Sequence, residues 1–295
     1  MKILSVAVML LASVSMADEC SSRWEMYGLG PKPLLGDTEA IYAVYAFRGN
    51  PKIRLEIRGK APVARFWSFE TEATSFIISE DHIFGDDVQL EADGSYRIVA
   101  SQAKSDTANY LALPNSWKSR LQQAIMFRNF VPGEPFNKED LPKIYATDLD
   151  GNPAPCPKPS TRDPEFHFPS WFANVATWFL SEEFRPPPSM GGAAGLNSAI
   201  TYQYALVKAK PSEKVHVRFK AHTREQVRYW SVCSVSFPKN RTYECVSDVQ
   251  MPGAKGIAQI DFAHQGVLQL VIRNLLPMSG FTPFASEYKP VVVKE

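Results

Sequence analysis

Basic and aromatic side chains recur in one order at two places in this 295-residue chain. Glu56, Arg58 and Lys60 occupy alternate positions, and Arg65 and Trp67 follow. His216, Arg218 and Lys220 repeat the spacing, followed by Arg228 and Trp230. In an extended strand, alternate positions share one face. An arginine beside an indole can hold a planar or carboxylated ligand by hydrogen bonding and stacking. Arg58, Lys60, Arg65, Trp67, His216, Arg218, Lys220, Arg228 and Trp230 are therefore the expected ligand-binding residues. The plainer alternative is an outward polar strand face with the tryptophans in a core.

Other chemistry is thinner. Glu80, Asp81, Asp86 and Asp87 surround His82 in an expected loop and could contribute to a calcium shell or an acid/base pair. A solvated acidic loop is the plainer and preferred reading, since their spacing is not diagnostic. There is no GxSxG, HExxH, GxxxxGK[ST] or GxGxxG sequence. His216 and His222 lie about 20 Å apart along a straight strand, too far to share an ion. No catalytic residue, metal or cofactor is assigned.

The four cysteines, Cys20, Cys156, Cys233 and Cys245, read as two disulfides. Cys233 and Cys245 flank Phe237-Pro238-Lys239-Asn240, a turn-like stretch between β-rich segments, and would face each other across a hairpin. Cys20 and Cys156 pair by elimination. Zinc is the rival reading, but neither the spacing nor a neighbouring histidine favours it. Asn240-Arg241-Thr242 is an acceptor sequence for a glycan if the host is a eukaryote.

Lys2, the apolar run Ile3 to Val14 and Ser15-Met16-Ala17 match a secretory signal peptide over residues 1–17, implying a secreted, periplasmic or extracellular protein. With 32 Lys+Arg against 31 Asp+Glu, the chain lacks the basic surplus of a nucleic-acid binder. No apolar run is long enough for a membrane span. Oligomeric state is not legible.

The elements that must position these residues come in two sets. Arg65-Phe66-Trp67-Ser68 returns as Arg228-Tyr229-Trp230-Ser231, Asp87-Val88-Gln89-Leu90 as Asp248-Val249-Gln250-Met251, and Arg128-Asn129 as Arg273-Asn274. Motifs repeated in register predict two homologous halves. Alternating apolar and polar residues over Ile53–Lys60 and Val215–Ala221 predict strands, and Asp93-Gly94 predicts a turn. The expected fold is all-β: two tandem jelly-roll-like sandwiches, 18–132 and 191–295. Residues 132 to 188 hold twelve of the 23 prolines, so 133–190 reads as a linker without regular sheet. One helix is expected near 170–184, where Trp171, Phe172, Val175, Trp178 and Phe179 share a face. It would dock on the sandwiches, or serve as a lid or a membrane-surface helix.

The run Leu35-Gly36-Asp37-Thr38-Glu39-Ala40-Ile41-Tyr42, Arg65-Phe66-Trp67-Ser68, Asp93-Gly94-Ser95-Tyr96, Asn109-Tyr110-Leu111-Ala112-Leu113-Pro114 and Phe127-Arg128-Asn129-Phe130-Val131-Pro132 resembles the domain-of-unknown-function family twelve-fourteen, related to twelve-fifty-four. Here it would be a tandem duplication. The resemblance implies a jelly-roll-like fold and no established activity. The residues themselves favour an exported protein that binds a small polar or anionic ligand such as a saccharide. A secreted enzyme on a carbohydrate or other small polar substrate is the alternative, and a structural or interaction role the third.

Overall fold

The computed structural model describes residues 19–28, 36–73, 78–115, 122–160, 183–184, 200–210, 213–236, 241–252, 256–263, 266–277 and 290–295. The chain is all-β, with its sheets arranged in sandwich-like layers. In the first half an outer sheet runs in the order β7 (Tyr110–Ala112), β6 (Ser95–Ser101), β3 (Ile53–Lys60), β9 (Lys143–Asp148). It packs on an inner sheet ordered β1 (Glu25–Tyr27), β2 (Ala40–Arg48), β8 (Gln122–Pro132), β4 (Ala64–Ala73), β5 (Ile78–Phe84). The second half also has two sheets. Its inner sheet is β10 (Ile200–Ala209), β15 (Gly266–Pro277), β12 (Val227–Ser236), β13 (Thr242–Ser247), and its outer sheet is β14 (Gly256–Phe262), β11 (Val215–Ala221), β16 (Val291–Lys294).

Alternation explains the layers. Leu55 and Ile57 of β3, Ile98 of β6 and Ile144 of β9 point into the first core, where Phe69, Ile125 and Phe127 of the inner sheet meet them. Val215, Val217 and Phe219 of β11 meet Trp230, Val232 and Leu270 in the second core. The two inner sheets then pack on one another through Phe66 and Phe130 against Tyr229 and Leu275. The Asp93-Gly94 turn forms as expected, with Gly94 at φ +79°, a left-handed conformation that glycine adopts without strain.

Three differences from the sequence reading matter for function. First, the residues grouped as one ligand-binding set are divided between sheets: β3 belongs to the outer sheet and β4 to the inner one, and β11 and β12 are divided in the same way. The short connection crosses between layers, so residues that follow one another in sequence lie on different sheets. Second, regular sheet enters the proline-rich region. The stretch from Lys143 to Asp148 is free of proline and pairs along β3, with Ile144 and Ala146 turned inward. Third, the acidic residues around His82 are not all in a loop, because Ile78–Phe84 is a strand paired with β4. The signal peptide, the Asn240 glycan site and the helix near 170–184, apart from Glu183 and Phe184, lie outside the described residues. Glu183 bridges Val291, and Phe184 is buried in the second core.

Trp67 shows how tightly the first sandwich is closed. Its ring stacks on Tyr96 at 5.2 Å between centroids and lies against Gly85. A Cβ on Gly85 would come within 2.2 Å of the indole nitrogen. Gly85→Ala is expected to lower stability by about 1–3 kcal/mol, the usual cost of overpacking a filled core. Urea unfolding of the variant checks this.

Candidate functional site

The outer face of the first half carries a concentrated charge pattern. On β3, Glu56, Arg58 and Lys60 face away from the core that holds Leu55 and Ile57. Strand pairing places Arg97 of β6 opposite Arg58 on one side and Lys143 of β9 opposite it on the other. Three cations thus stand in one row across three strands, with side chains 57% (Arg97), 51% (Arg58) and 60% (Lys143) exposed. Strands lie about 4.8 Å apart, so the row is about 10 Å long. Like charges placed directly opposite one another are unfavourable unless an anion joins them.

One carboxylate partly fills that role. Glu56, buried beneath the row, accepts from Arg58 Nε at 3.1 Å and from Arg97 Nη2. Burial alone would push its carboxyl pKa up, but the hydrogen bonds and charges of Arg97 and Arg58 outweigh burial and hold it below the usual value. Lys143 reaches Glu19 at 3.4 Å. The Arg58 guanidinium also lies over the Tyr145 ring, 4.8 Å from its centroid. Lys60, at the exposed end of β3, extends the basic surface. Among the described residues it offers charge, fixed guanidinium planes and an aromatic ring, and neither described cavity is lined by it.

The corresponding face of the second half is neutralised. His216 is nearly buried and bonds Asp261 at 2.6 Å, while Arg218 donates to Gln259 at 2.8 Å and lies 3.8 Å from Glu295. Register sets Arg218 between Gln259 and Val291, so no cationic row forms. Lys220 lines a small cavity with His222 and Trp230.

The two Arg–Trp pairs are not on these faces, a correction that follows from the layer crossing. Trp67 and Trp230 are buried in the two cores; Trp230 packs on Phe219 at 5.0 Å and donates to the His222 carbonyl at 3.1 Å. Arg65 and Arg228 instead join the halves. Arg65 donates to both carboxylate oxygens of Asp248, at 2.7 and 2.6 Å, and Arg228 pairs with Asp86. Two of the acidic residues expected as a calcium or acid/base cluster are likewise engaged elsewhere: Asp86 pairs with Arg228, and Asp81 accepts from the backbone of Ala112 at 2.7 Å, tying β5 to β7.

Two buried charge clusters between the inner sheets were not legible as sites. In the first half, Ser68, Glu70 and Glu72 share one face of β4, and Arg128 of β8 stands opposite Ser68. Arg128 lies 2.5 Å from Glu70 and 3.9 Å from Glu72. Two carboxyls against one guanidinium leave a surplus acid. Burial, then the charge of Glu70, raise Glu72 to about 8 despite the opposing pull of Arg128. In the second half Arg273 takes the place of Arg128, opposite Ser231, and its carboxylate comes from the other half. Asp37 lies 3.7 Å from Arg273 and accepts from Tyr229 at 3.0 Å and Ser231 at 2.5 Å. One signal was available: positions 70 and 72 correspond to Cys233 and Val235, whose apolar character marks that face as interior.

Cys20 is bonded to Cys156 and Cys233 to Cys245, the pairings the sequence implies. Asp37 and the second pair bring potential ligand atoms within 4.8 Å of one another, the one such trio among the described residues. With the sulfurs joined and a guanidinium beside them, it is no cation site in this form.

Matching positions in the halves make matching pairs: Trp67 opposes Asn129 and Ser68 opposes Arg128, as Trp230 opposes Asn274 and Ser231 opposes Arg273. The family described as "Protein of unknown function (DUF1214)" matches residues 44–133, so the resemblance read from the motifs holds there. No curated protein matches the chain. Solved structures similar to this chain include two proteins. One is a putative uncharacterized protein from Burkholderia cenocepacia, at 11% identity and TM-score 0.65, covering 93% of this chain and 82% of that one. The other is the VPA0106 protein from Vibrio parahaemolyticus, at 11% identity and TM-score 0.51, covering 90% and 92%. At such identity the likeness is one of fold.

Proposed function

We propose that this chain, with its DUF1214 segment at residues 44–133, is an exported binding protein that holds an anionic saccharide on the outer sheet of its first half. The observation that carries the reading is the in-register row of Arg97, Arg58 and Lys143. Small molecules are usually taken into concave pockets, whereas these three strands present a row of exposed cations. An extended chain bearing carboxylates or sulfates can lie across the three strands, its anions bridging cations that otherwise repel one another. Guanidinium groups suit bidentate carboxylate recognition, and Tyr145 offers a surface for a sugar ring. The second half, with its basic residues already paired, serves as scaffold. Two disulfides and the N-terminal leader pattern support export. The matched registers of the inner sheets support reading the halves as a duplication.

The test separates charge from fold. Titration with a uronic-acid oligosaccharide, followed by calorimetry at low salt, should show binding weakened about tenfold by Arg97→Ala and further by Arg58→Ala. Glu56→Gln should strengthen it, because the competing internal anion is gone. Raising salt should weaken binding to the wild type. Equal affinities for the wild type and both arginine variants would sink the reading.

A further inference from the structure

The geometry points to Cys233–Cys245 as a thiol–disulfide exchange site, attacked at Cys245 and releasing Cys233 as a thiolate held by Arg273. The two cysteines face each other in register, 4.0 Å apart at Cα. Their surroundings are unequal. Cys233 lies on β12, inside the sheet, and is 0% exposed; Cys245 lies on β13, the last strand of that sheet, and is 8% exposed. An incoming thiolate therefore meets Cys245 first.

The leaving side is prepared. Arg273 Nη1 lies 2.8 Å from Cys233 Sγ, and the Thr38 amide points at Cys245 Sγ from 3.4 Å. A disulfide sulfur is a weak acceptor, so a buried guanidinium gains little from it. A thiolate in the same place forms a charge-assisted bond. A leaving thiol of lowered pKa leaves faster and stabilises the reduced form. Among the groups facing Cys233, Asp37 is the anion and Tyr229 a neutral phenol; Tyr204 packs alongside. Asp37 opposes a second negative charge, so the site holds one thiolate and Cys245 ends as a thiol.

The exchange balances with a dithiol reductant. Its first thiolate attacks Cys245 Sγ; the Sγ–Sγ bond breaks and its electron pair stays on Cys233. The second reductant thiol, once deprotonated, displaces Cys245, which takes a proton from solvent. The reductant leaves as a disulfide, oxidised by two electrons, and the protein bridge is reduced by two.

The native full-length chain would first be treated with glutathione at neutral pH, quenched by acid, and mapped by mass spectrometry. The mixed disulfide is expected on Cys245. Separately, the chain and Arg273→Gln would be equilibrated in dithiothreitol buffers of rising reduced fraction, with isotope-coded alkylation reading each bridge. Opening Cys233–Cys245 in the variant should require a several-fold higher ratio of reduced to oxidised dithiothreitol, with Arg273→Lys between. Cys20–Cys156, which closes a separation of 136 residues, is the internal reference. A glutathione adduct on Cys233, or an unshifted midpoint in a folded Arg273→Gln, overturns the inference. If that variant does not fold, the adduct position on the native chain decides.

Discussion

Asp37→Ala is expected to cost about 3–5 kcal/mol of stability, the range for breaking a buried ion pair from one side. Asp37 comes from the first half, where the Glu39 amide donates to it at 2.9 Å, yet its partners Tyr229, Ser231 and Arg273 belong to the second. Its loss leaves a buried guanidinium without its carboxylate and removes the acceptor of two buried hydroxyls. The neighbouring residues are clasped at the same place: the Gly36 carbonyl accepts from Thr242 at 2.7 Å, and the Glu39 carboxylate accepts from the Gln250 amide at 2.6 Å. Asp37→Asn should recover part of the loss, since the amide oxygen still accepts from the hydroxyls while the charge is gone. Urea unfolding of the three proteins checks the order, and a Asp37→Ala variant within 1 kcal/mol of wild type, about the value of one ordinary hydrogen bond, would refute it.

Glu72→Gln is expected to stabilise the protein at pH 8 and above, with an effect that fades toward pH 4. The folded-state carboxyl of Glu72 is raised to about 8 from an ordinary 4.5 by burial and by Glu70. A raised acid contributes stability that is complete below its unfolded value and is lost as pH climbs through the folded value. Between those limits the unfolded chain releases the proton and the folded chain keeps it, so stability falls with rising pH. Glutamine occupies the space without this proton linkage. The gain at pH 9 should reach a few kcal/mol. Thermal unfolding of both proteins from pH 4 to 9 gives the comparison; parallel profiles would show that Glu72 is not the group responsible.

The sequence carried the local half of this structure. Strand alternation at Ile53–Lys60 and Val215–Ala221, the Asp93-Gly94 turn and the cross-hairpin cysteines are local patterns, and each appears in the fold. The site was only half visible, because it is made by pairing at long range. Arg58 was a candidate from its own strand, but its neighbours Arg97 and Lys143 arrive from strands about 40 and 85 residues onward, and periodicity says nothing of which strands become neighbours. Trp67 was misplaced for the same reason: the short link after Lys60 changes layer, and spacing cannot distinguish that from a hairpin. Glu70 and Glu72 carried no signal of their own, because alternating polar residues usually mark a solvent face. In a stack of sandwiches, the face turned from one core can belong to another interface.

The bridges from Arg65 to Asp248 and from Arg228 to Asp86 cross the seam in opposite directions, as do Phe66 and Phe130 with Tyr229 and Leu275. The two sides are nearly reciprocal, Asp86 standing one residue from Asp87, the counterpart of Asp248, and this approaches an isologous contact, in which each partner offers the other the same patch. A seam of that kind is indifferent to whether its two sides share a chain. What favours closure within one molecule is the tether, which keeps the second side at a local concentration of the order of millimolar. Two molecules trading halves would satisfy every contact across the seam equally well, so the connection between the halves, rather than the seam itself, determines whether this protein remains single or exchanges parts with its neighbours.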